Sequence, residues 1–390
     1  MASHAYPRAH VPVTPVLSAG ALLGPRDPHI SAMTDSGEVR LVTSGRIALA
    51  LAMRAIGLAP GDRVLVPAYH SLSMIPPIVA AGAEPVFYRV RSDASADLDD
   101  IAAKAQGARA LVAVNYFGFP QDLAAIRAFC DRHGLAMVED CAHSFFGASG
   151  GRPLGSFGDY AIGSTMKFLP IYEGGCLVSS RHSLAKVDLR SAGIGFELKA
   201  SLAAVERGLE YGRLPAARLP LALKDGLWKL LRRGKGKGKS AAAALTPSSS
   251  DSSYDFDPRW LDKRSSLFSR LVLRFAARGR IAQRRRANYL ALQAALAGLP
   301  GMAPLFPALP ADVYPWAFPV VVADPERIFA PLKMAGVPVI RFAEKLWPGV
   351  DCPDSIELSR RVFAFPCHQE LTDAEIRWLA ATICSVVGAA

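Results

Sequence analysis

The chain is 390 residues long, 51% hydrophobic and 20% charged, with a formal net charge of +11. That balance belongs to a globular protein large enough for two domains, and it excludes a disordered chain. Seven Lys/Arg against one Asp lie between Lys224 and Lys239, which accounts for six of the eleven excess charges. A protein-wide basic face for nucleic acid is therefore not expected.

No apolar run approaches the roughly 18 residues of a membrane span. The start, "MASHAYPRAHVPVTPVLSAG", is broken by prolines and lacks the continuous apolar core of a signal peptide. The expectation is a cytoplasmic protein. Cys130, Cys141, Cys176, Cys352, Cys367 and Cys384 follow no CxxC or ligand-like spacing. Neither a zinc or other metal site nor a disulfide framework is expected.

In chain order, "SGRIALALAMRAIGLAPGD" carries apolar residues at helical spacing and stops at a Pro-Gly-Asp turn. Short apolar strands follow in "RVLVPA", "EPVFYRV", "ALVAVNYFG", "AMVED" and "CLVSS". Helical stretches such as "SMIPPIVAAGA" and "QDLAAIRAFCDRHG" separate them. Strands apolar on both faces, alternating with helices, predict an α/β fold with a mostly parallel, helix-covered sheet. Ligands gather at the carboxyl ends of such strands.

Residues 196–233 read as largely helical. "LALKDGLWKLLRR" sets Leu223, Leu227, Trp228, Leu230 and Leu231 on one side, ahead of basic residues. Such a helix over 221–239 suits either packing or contact with an anionic membrane surface, and packing is the preferred reading. A Gly/Lys and then Ser/Asp stretch follows, with the composition of a mobile insertion. From residue 265 a long helix is predicted, with Arg284-Arg285-Arg286 on its solvated face. The strands "YPWAFPVVV", "VPVIRF" and "FAFPC" then mix with two helices as a small α+β unit.

Three local features carry chemistry. Ser44 and Gly45 open the first helix, where free N–H groups and the helix dipole favour an anion, although serine there is equally an N-cap. Asp140 ends an apolar strand, with His143 three residues on. An acid so placed can bind a metal, orient a base or pair with a protonated ring nitrogen. In "GSTMKFLPIYEGG", Ser164 and Lys167 stand three apart, and lysine is the side chain that forms Schiff bases. Taken singly, each has an ordinary structural reading. Taken together, a phosphate cradle, an acid for a pyridinium nitrogen and a Schiff-base lysine are what pyridoxal 5'-phosphate requires.

The order and spacing of these stretches resemble the DegT/StrS-type sugar aminotransferases, which are pyridoxal phosphate-dependent enzymes of fold type I. "SGRIAL" is similar to that family's Ser-Gly-Thr-x-Ala-Leu. "GLAPGDRVLVPAYHS", "AAGAEPVFYRV", "VAVNYFGFPQDLAAI", "HGLAMVEDCAHSFFGASGGRPLGSFGDYAIGS" and "LSRRVFAFPCHQELTDAEI" resemble further family motifs in the same order. The resemblance implies Lys167 as the Schiff-base lysine, Asp140 as the partner of the pyridine nitrogen and Ser164 as a phosphate ligand. It adds backbone N–H groups of Gly45 and Arg46, beside Ser44, for the phosphate, and it puts His143 near the ring hydroxyl. A family branch with histidine in place of the lysine acts as dehydratases, and Lys167 argues against that branch.

The chain departs from the pattern in three places. The ring-stacking aromatic falls near Ser71, so His70 is the expected stacker, with Tyr69 the other candidate. "GSTMK" is shorter than the usual loop. "DKRSSL" puts Asp262 where relatives carry a phosphate-binding asparagine. The implied organisation is an N-terminal segment 1–40, a large cofactor-binding domain 41–233, an insertion 234–258, and a helical linker with a small α+β C-terminal domain over 259–390. The implied activity is a cytoplasmic homodimer that moves an amino group from a donor such as glutamate to a keto-sugar, often nucleotide-linked. Alternatives are another reaction on the same cofactor, or a non-catalytic relative acting through 221–239.

Overall fold

Strands built almost wholly of apolar residues must be covered on both faces, and the larger of two principal sheets obeys that rule. The computed structural model describes residues 6–21, 23, 27, 29–214 and 256–389. The basic segment 221–239 and nearly all of the insertion expected at 234–258 lie outside the described residues.

The large sheet takes β1 (Glu38–Val42), β2 (Arg63–Pro67), β3 (Glu84–Tyr88), β4 (Ala108–Val114) and β5 (Ala136–Asp140). After a small hairpin of β6 (Ala148–Ser149) and β7 (Arg152–Pro153), β8 (Tyr160–Gly163) and β9 (Gly175–Ser179) complete it. The spatial order is β1-β9-β8-β5-β4-β2-β3. β3, β2, β4, β5 and β8 run parallel, β9 is antiparallel to β8, and β1 is antiparallel to β9. The mostly parallel α/β architecture read from the sequence is therefore the observed one.

Helices α1 (Gly45–Ile56), α2 (Ile75–Ala80), α3 (Leu98–Lys104) and α4 (Leu123–His133) fall between the strands, as the periodicity predicts. α1 starts at Ser44, whose Oγ accepts the Ile47 N–H at 3.3 Å, and stops at Gly57 in the left-handed region (φ 75°). Its residues Ile47 to Met53 are all buried, and α1 packs on β8 and β9.

Beyond β9 come α5 (Ile194–Glu210), α6 (Leu267–Phe275) and α7 (Arg278–Ala295). The single long helix predicted from residue 265 is in fact two. Ala276 and Ala277 leave helical geometry (ψ 130° and 81°), and both are buried. The break lets α6 lie along α5 while α7 packs on the second sheet. That sheet is antiparallel, β10 (Met302–Pro304), β11 (Ala317–Val322) and β12 (Val362–Pro366), and is accompanied by α8 (Pro325–Met334), α9 (Pro353–Arg361) and α10 (Asp373–Ala389).

Two further expectations are corrected here. "VPVIRF" makes only one bridge, Ile340 to Ala364, before the chain turns through Ala343 (φ 57°). The arginine run is not a solvated face either. Arg285 has no exposed surface, Arg284 pairs with Asp373 at 2.8 Å, and Arg286 donates to the Val313 carbonyl at 2.8 Å. Only Arg285 is fully buried, and Arg284 and Arg286 are half-buried against neighbouring segments. No helix among the described residues is long and apolar enough to cross a membrane.

Candidate active site

β1, β5 and β8 point the same way, so their carboxyl ends share one edge of the sheet. Register places Val42 opposite Gly175, Asp140 opposite Ile162, and Gly163 opposite Cys176. At that edge a cavity is lined by Ser44, Gly45, Arg46, Asp140, His143, Ser164 and Lys167, seven of the eight candidate residues. Ser71, Ser73, Ala142, Met166 and Phe342 complete much of its wall.

One end of the cavity forms where β9 presses against the start of α1. A Cβ on Gly175 would stand 2.3 Å from the Ser44 carbonyl carbon, so only glycine fits. Gly174 (φ 144°) donates its N–H to the Thr43 carbonyl at 3.0 Å, and its own carbonyl accepts the Thr165 N–H at 3.2 Å. The "EGG" stretch thus ties the lysine turn to the helix start. Glu173 reaches the other way, accepting the Ser266 N–H at 2.9 Å at the head of α6. A Cβ on Gly45 would lie 3.5–3.8 Å from Gly163 and Ser164, in the gap between the two turns. The first turn of α1, through Gly45 and Arg46, lines the cavity here.

Asp140 sits at the end of β5, 7% exposed, and accepts the Ala142 N–H at 2.8 Å. Burial pushes its carboxyl up to about 6, against the opposing pull of the Ala142 N–H and the Lys167 ammonium. Strand alternation turns the adjacent Glu139 to the opposite face. There it accepts the N–H groups of Gly155 and Phe157 at 2.9 and 3.1 Å, a supporting role only.

Lys167 closes a 3-10 turn, Thr165–Lys167, that begins at Ser164. Its Nζ lies 4.8 Å from the centre of the Trp316 ring, a cation–π contact. Its charge also acts on Asp140 and His143, which sets the three side chains close together. His143 is buried, with its ring stacked on Trp316 at 4.0 Å and 21° and Phe342 edge-on at 4.7 Å. Its Nδ1 accepts the Phe117 N–H at 3.4 Å, and burial together with the Lys167 charge holds its pKa well below the usual range. The imidazole is therefore neutral at physiological pH.

His70 is the exception among the candidates. It does not line the cavity but is wholly buried behind it, stacked on Phe87 at 5.1 Å and 16°. Its Nδ1–H faces the Pro67 and Ala68 carbonyls, both at 3.0 Å, while Nε2 accepts the Trp347 N–H at 3.3 Å. Both nitrogens are engaged and burial drops the pKa to about 4, so this is a neutral packing histidine. The cavity position belongs to Ser71, and the aromatic side chain in the wall is Phe342. Tyr69, the other candidate, is also buried, 5.1 Å edge-on from Phe342. Asp262 is engaged by Lys263 at 2.8 Å and by Arg190. Trp316, Phe342 and Arg285 are the residues that sequence reading missed. Each is an aromatic or basic residue in an ordinary apolar or helical context, with no local signal to mark it.

The fold is shared with solved structures described as aminotransferases. A putative sugar aminotransferase from Streptococcus pneumoniae in its PMP form superposes with a TM-score of 0.65 at 17% identity, covering 97% of this chain and 99% of that one. Identity that low speaks for the fold alone. Residues 29–203 match the model of the DegT/DnrJ/EryC1/StrS aminotransferase family. GDP-perosamine synthase of Vibrio cholerae is 36% identical over 143 residues, 36% of this chain and 39% of that protein. The dTDP-4-dehydro-2,3,6-trideoxy-D-glucose 4-aminotransferase of Saccharopolyspora spinosa is 34% identical over 167 residues, 42% of this chain and 43% of that protein. The chain thus spans about two-fifths of the length of these curated relatives.

Proposed function

We propose that this chain is a pyridoxal phosphate-dependent aminotransferase that moves an amino group from an amino-acid donor, glutamate, to a keto-sugar carried on a nucleotide. The observation that carries this reading is one cavity holding Lys167, a buried strand-end acid and the N-terminus of α1. The relatives named above act on sugars bearing GDP or dTDP, which supports the acceptor class.

The residues present fit the cofactor. Gly45 and Arg46, at the start of α1, line the cavity beside Ser44 and Ser164, and a helix N-terminus so placed suits a phosphate. Asp140, raised to about 6 in the cofactor-free cavity, returns to a carboxylate when a ring N–H⁺ lies beside it. When bound, pyridoxal phosphate supplies an electron sink for the substrate carbon that loses a proton. Lys167 Nζ would hold the cofactor and, as a free amine, would take up and return the proton that the substrate carbon loses. Neutral His143 stays in its stack on Trp316 and presents a ring face without a competing charge. Phe342 and Met166 add apolar surface to the cavity lining, which disfavours water there. The test is a visible absorbance band on adding pyridoxal phosphate. Wild type should show it and Lys167→Ala should not, and a wild-type protein without the band would defeat the reading.

The protein acts as a homodimer in this proposal. Ile194, Leu198 and Leu202 on α5 and Leu267, Leu271 and Phe275 on α6 are all exposed, at i, i+4, i+8 spacing on two helices that pack together. An apolar face of that kind suits a second copy. Leu271→Asp should weaken self-association at least about a hundredfold in sedimentation, and an unchanged mass distribution would remove the face from the interface. Five buried free thiols suit a reducing compartment, hence the cytoplasm.

A further inference from the structure

Arg285, on α7, is a cation with no exposed surface, and no carboxylate is among its described hydrogen-bond partners. Burying such a charge is costly unless its donors are matched. Here they are matched by main-chain and amide oxygens from three separate segments. Nε donates to Gln369 Oε1 at 2.9 Å, and one Nη donates to the Pro315 and Trp316 carbonyls at 2.9 and 3.2 Å. The other Nη donates to the Lys167 carbonyl at 3.0 Å. The guanidinium also lies over the Phe168 ring at 4.4 Å, and Gln369 Nε2 donates to the Phe168 carbonyl at 2.8 Å.

The two ends of this fork bear on the same reactive group. One fixes the backbone of Lys167. The other fixes the backbone of Trp316, whose ring carries His143 at 4.0 Å and the Lys167 Nζ at 4.8 Å. A planar guanidinium with fixed donor directions sets the spacing between lysine and aromatic wall in a way a flexible ammonium cannot. Gln369 belongs to the loop after β12, so the fork also couples the second sheet to the lysine turn.

We propose that Arg285 is a positioning residue for Lys167, holding the lysine turn and the Trp316–His143 wall in one fixed geometry. The proposal rests on the cofactor reading above. The experiment compares full-length Arg285→Lys and Arg285→Met with wild type. It reads amide hydrogen exchange of residues 164–170 without cofactor, the dissociation constant for pyridoxal phosphate, and the pH midpoint of the visible band. Both variants should speed exchange of that segment. Arg285→Lys should weaken cofactor binding about tenfold and Arg285→Met further, as expected for charge-assisted hydrogen bonds lost. Arg285→Met should move the band's midpoint, because Nζ loses its fixed distance from the Trp316 ring and from Asp140; Arg285→Lys should move it less.

A fall in melting temperature with wild-type exchange, affinity and midpoint would reduce Arg285 to packing and overturn the proposal. If the arginine variants do not fold, Gln369→Met should give smaller changes of the same sign in exchange and affinity, and unchanged values there overturn it equally. If wild type itself takes up no cofactor, the functional reading fails, while the exchange measurement still decides the role of Arg285.

Discussion

The seven-stranded sheet and the three-stranded sheet contribute to the cavity in different ways. From the first come Ser44, Gly45, Asp140, Ser164 and Lys167, each within a few residues of a strand end. From the loops of the second sheet come Trp316 and Phe342, and from α7 packed on it comes Arg285; these stack, wall or brace. The groups proposed to react need only a strand end and a turn to reach the edge. The groups around them need distant segments brought together, because their partners lie far along the chain. Arg285 and Lys167, for example, are 118 residues apart.

The largest expected effect tests the first sheet. Burial raises the Asp140 carboxyl from 3.8 to about 6 in the cofactor-free protein. The folded state then binds this proton more tightly than the unfolded chain does. The penalty for ionising Asp140 is absent below about pH 4, grows as pH rises to about 6, and is complete above that. Asp140→Asn should therefore stabilise the cofactor-free protein by up to ~3 kcal/mol near neutral pH, with the gain vanishing toward pH 4. Its amino-transfer turnover should meanwhile fall roughly a hundredfold. Denaturant titration at several pH values checks the first part and steady-state kinetics the second. A stability gain of the same size at every pH would contradict the burial argument.

An intermediate effect separates His70 from the cavity. His70→Phe should cost about 1–3 kcal/mol of stability through the lost bonds to Pro67, Ala68 and Trp347. Cofactor affinity should stay within about twofold of wild type. Cofactor binding weakened at unchanged stability would return His70 to the site.

The smallest effect probes the second sheet. Trp316→Phe keeps an aromatic face but a smaller one under His143 and Lys167, and it should cost about 1 kcal/mol, roughly fivefold in cofactor affinity. A fluorescence titration measures this directly. No change at all would mean that the wall contributes shape without energy, and the contrast between the sheets would sharpen accordingly.

Legibility followed the range of the interactions. Strands such as "ALVAV" and "AMVED" were readable because burial on both faces demands apolar residues whatever lies around them. The break at Ala276–Ala277 was not, since helix-forming alanines leave helical geometry there only because α6 and α7 pack on different neighbours. His70 was misplaced because histidine beside a cavity and histidine behind it look alike in sequence. Their difference lies in the carbonyls of Pro67 and Ala68, which hold the ring inward. The arginine run at 284–286 failed likewise, as charge predicts exposure until buried acceptors are known to converge on it.

The sequence by itself determined the parallel sheet, the helix start at Ser44–Gly45, and a lysine and an acid at strand ends, because local periodicity and turn chemistry place all of these. Only the tertiary structure decided what surrounds them. Ser71 rather than His70 faces the cavity, Phe342 supplies an aromatic wall from a segment bridged to the second sheet, and a buried arginine grips the backbone of Lys167. Those choices depend on the packing of segments distant in the chain, and no short stretch of residues encodes such packing on its own.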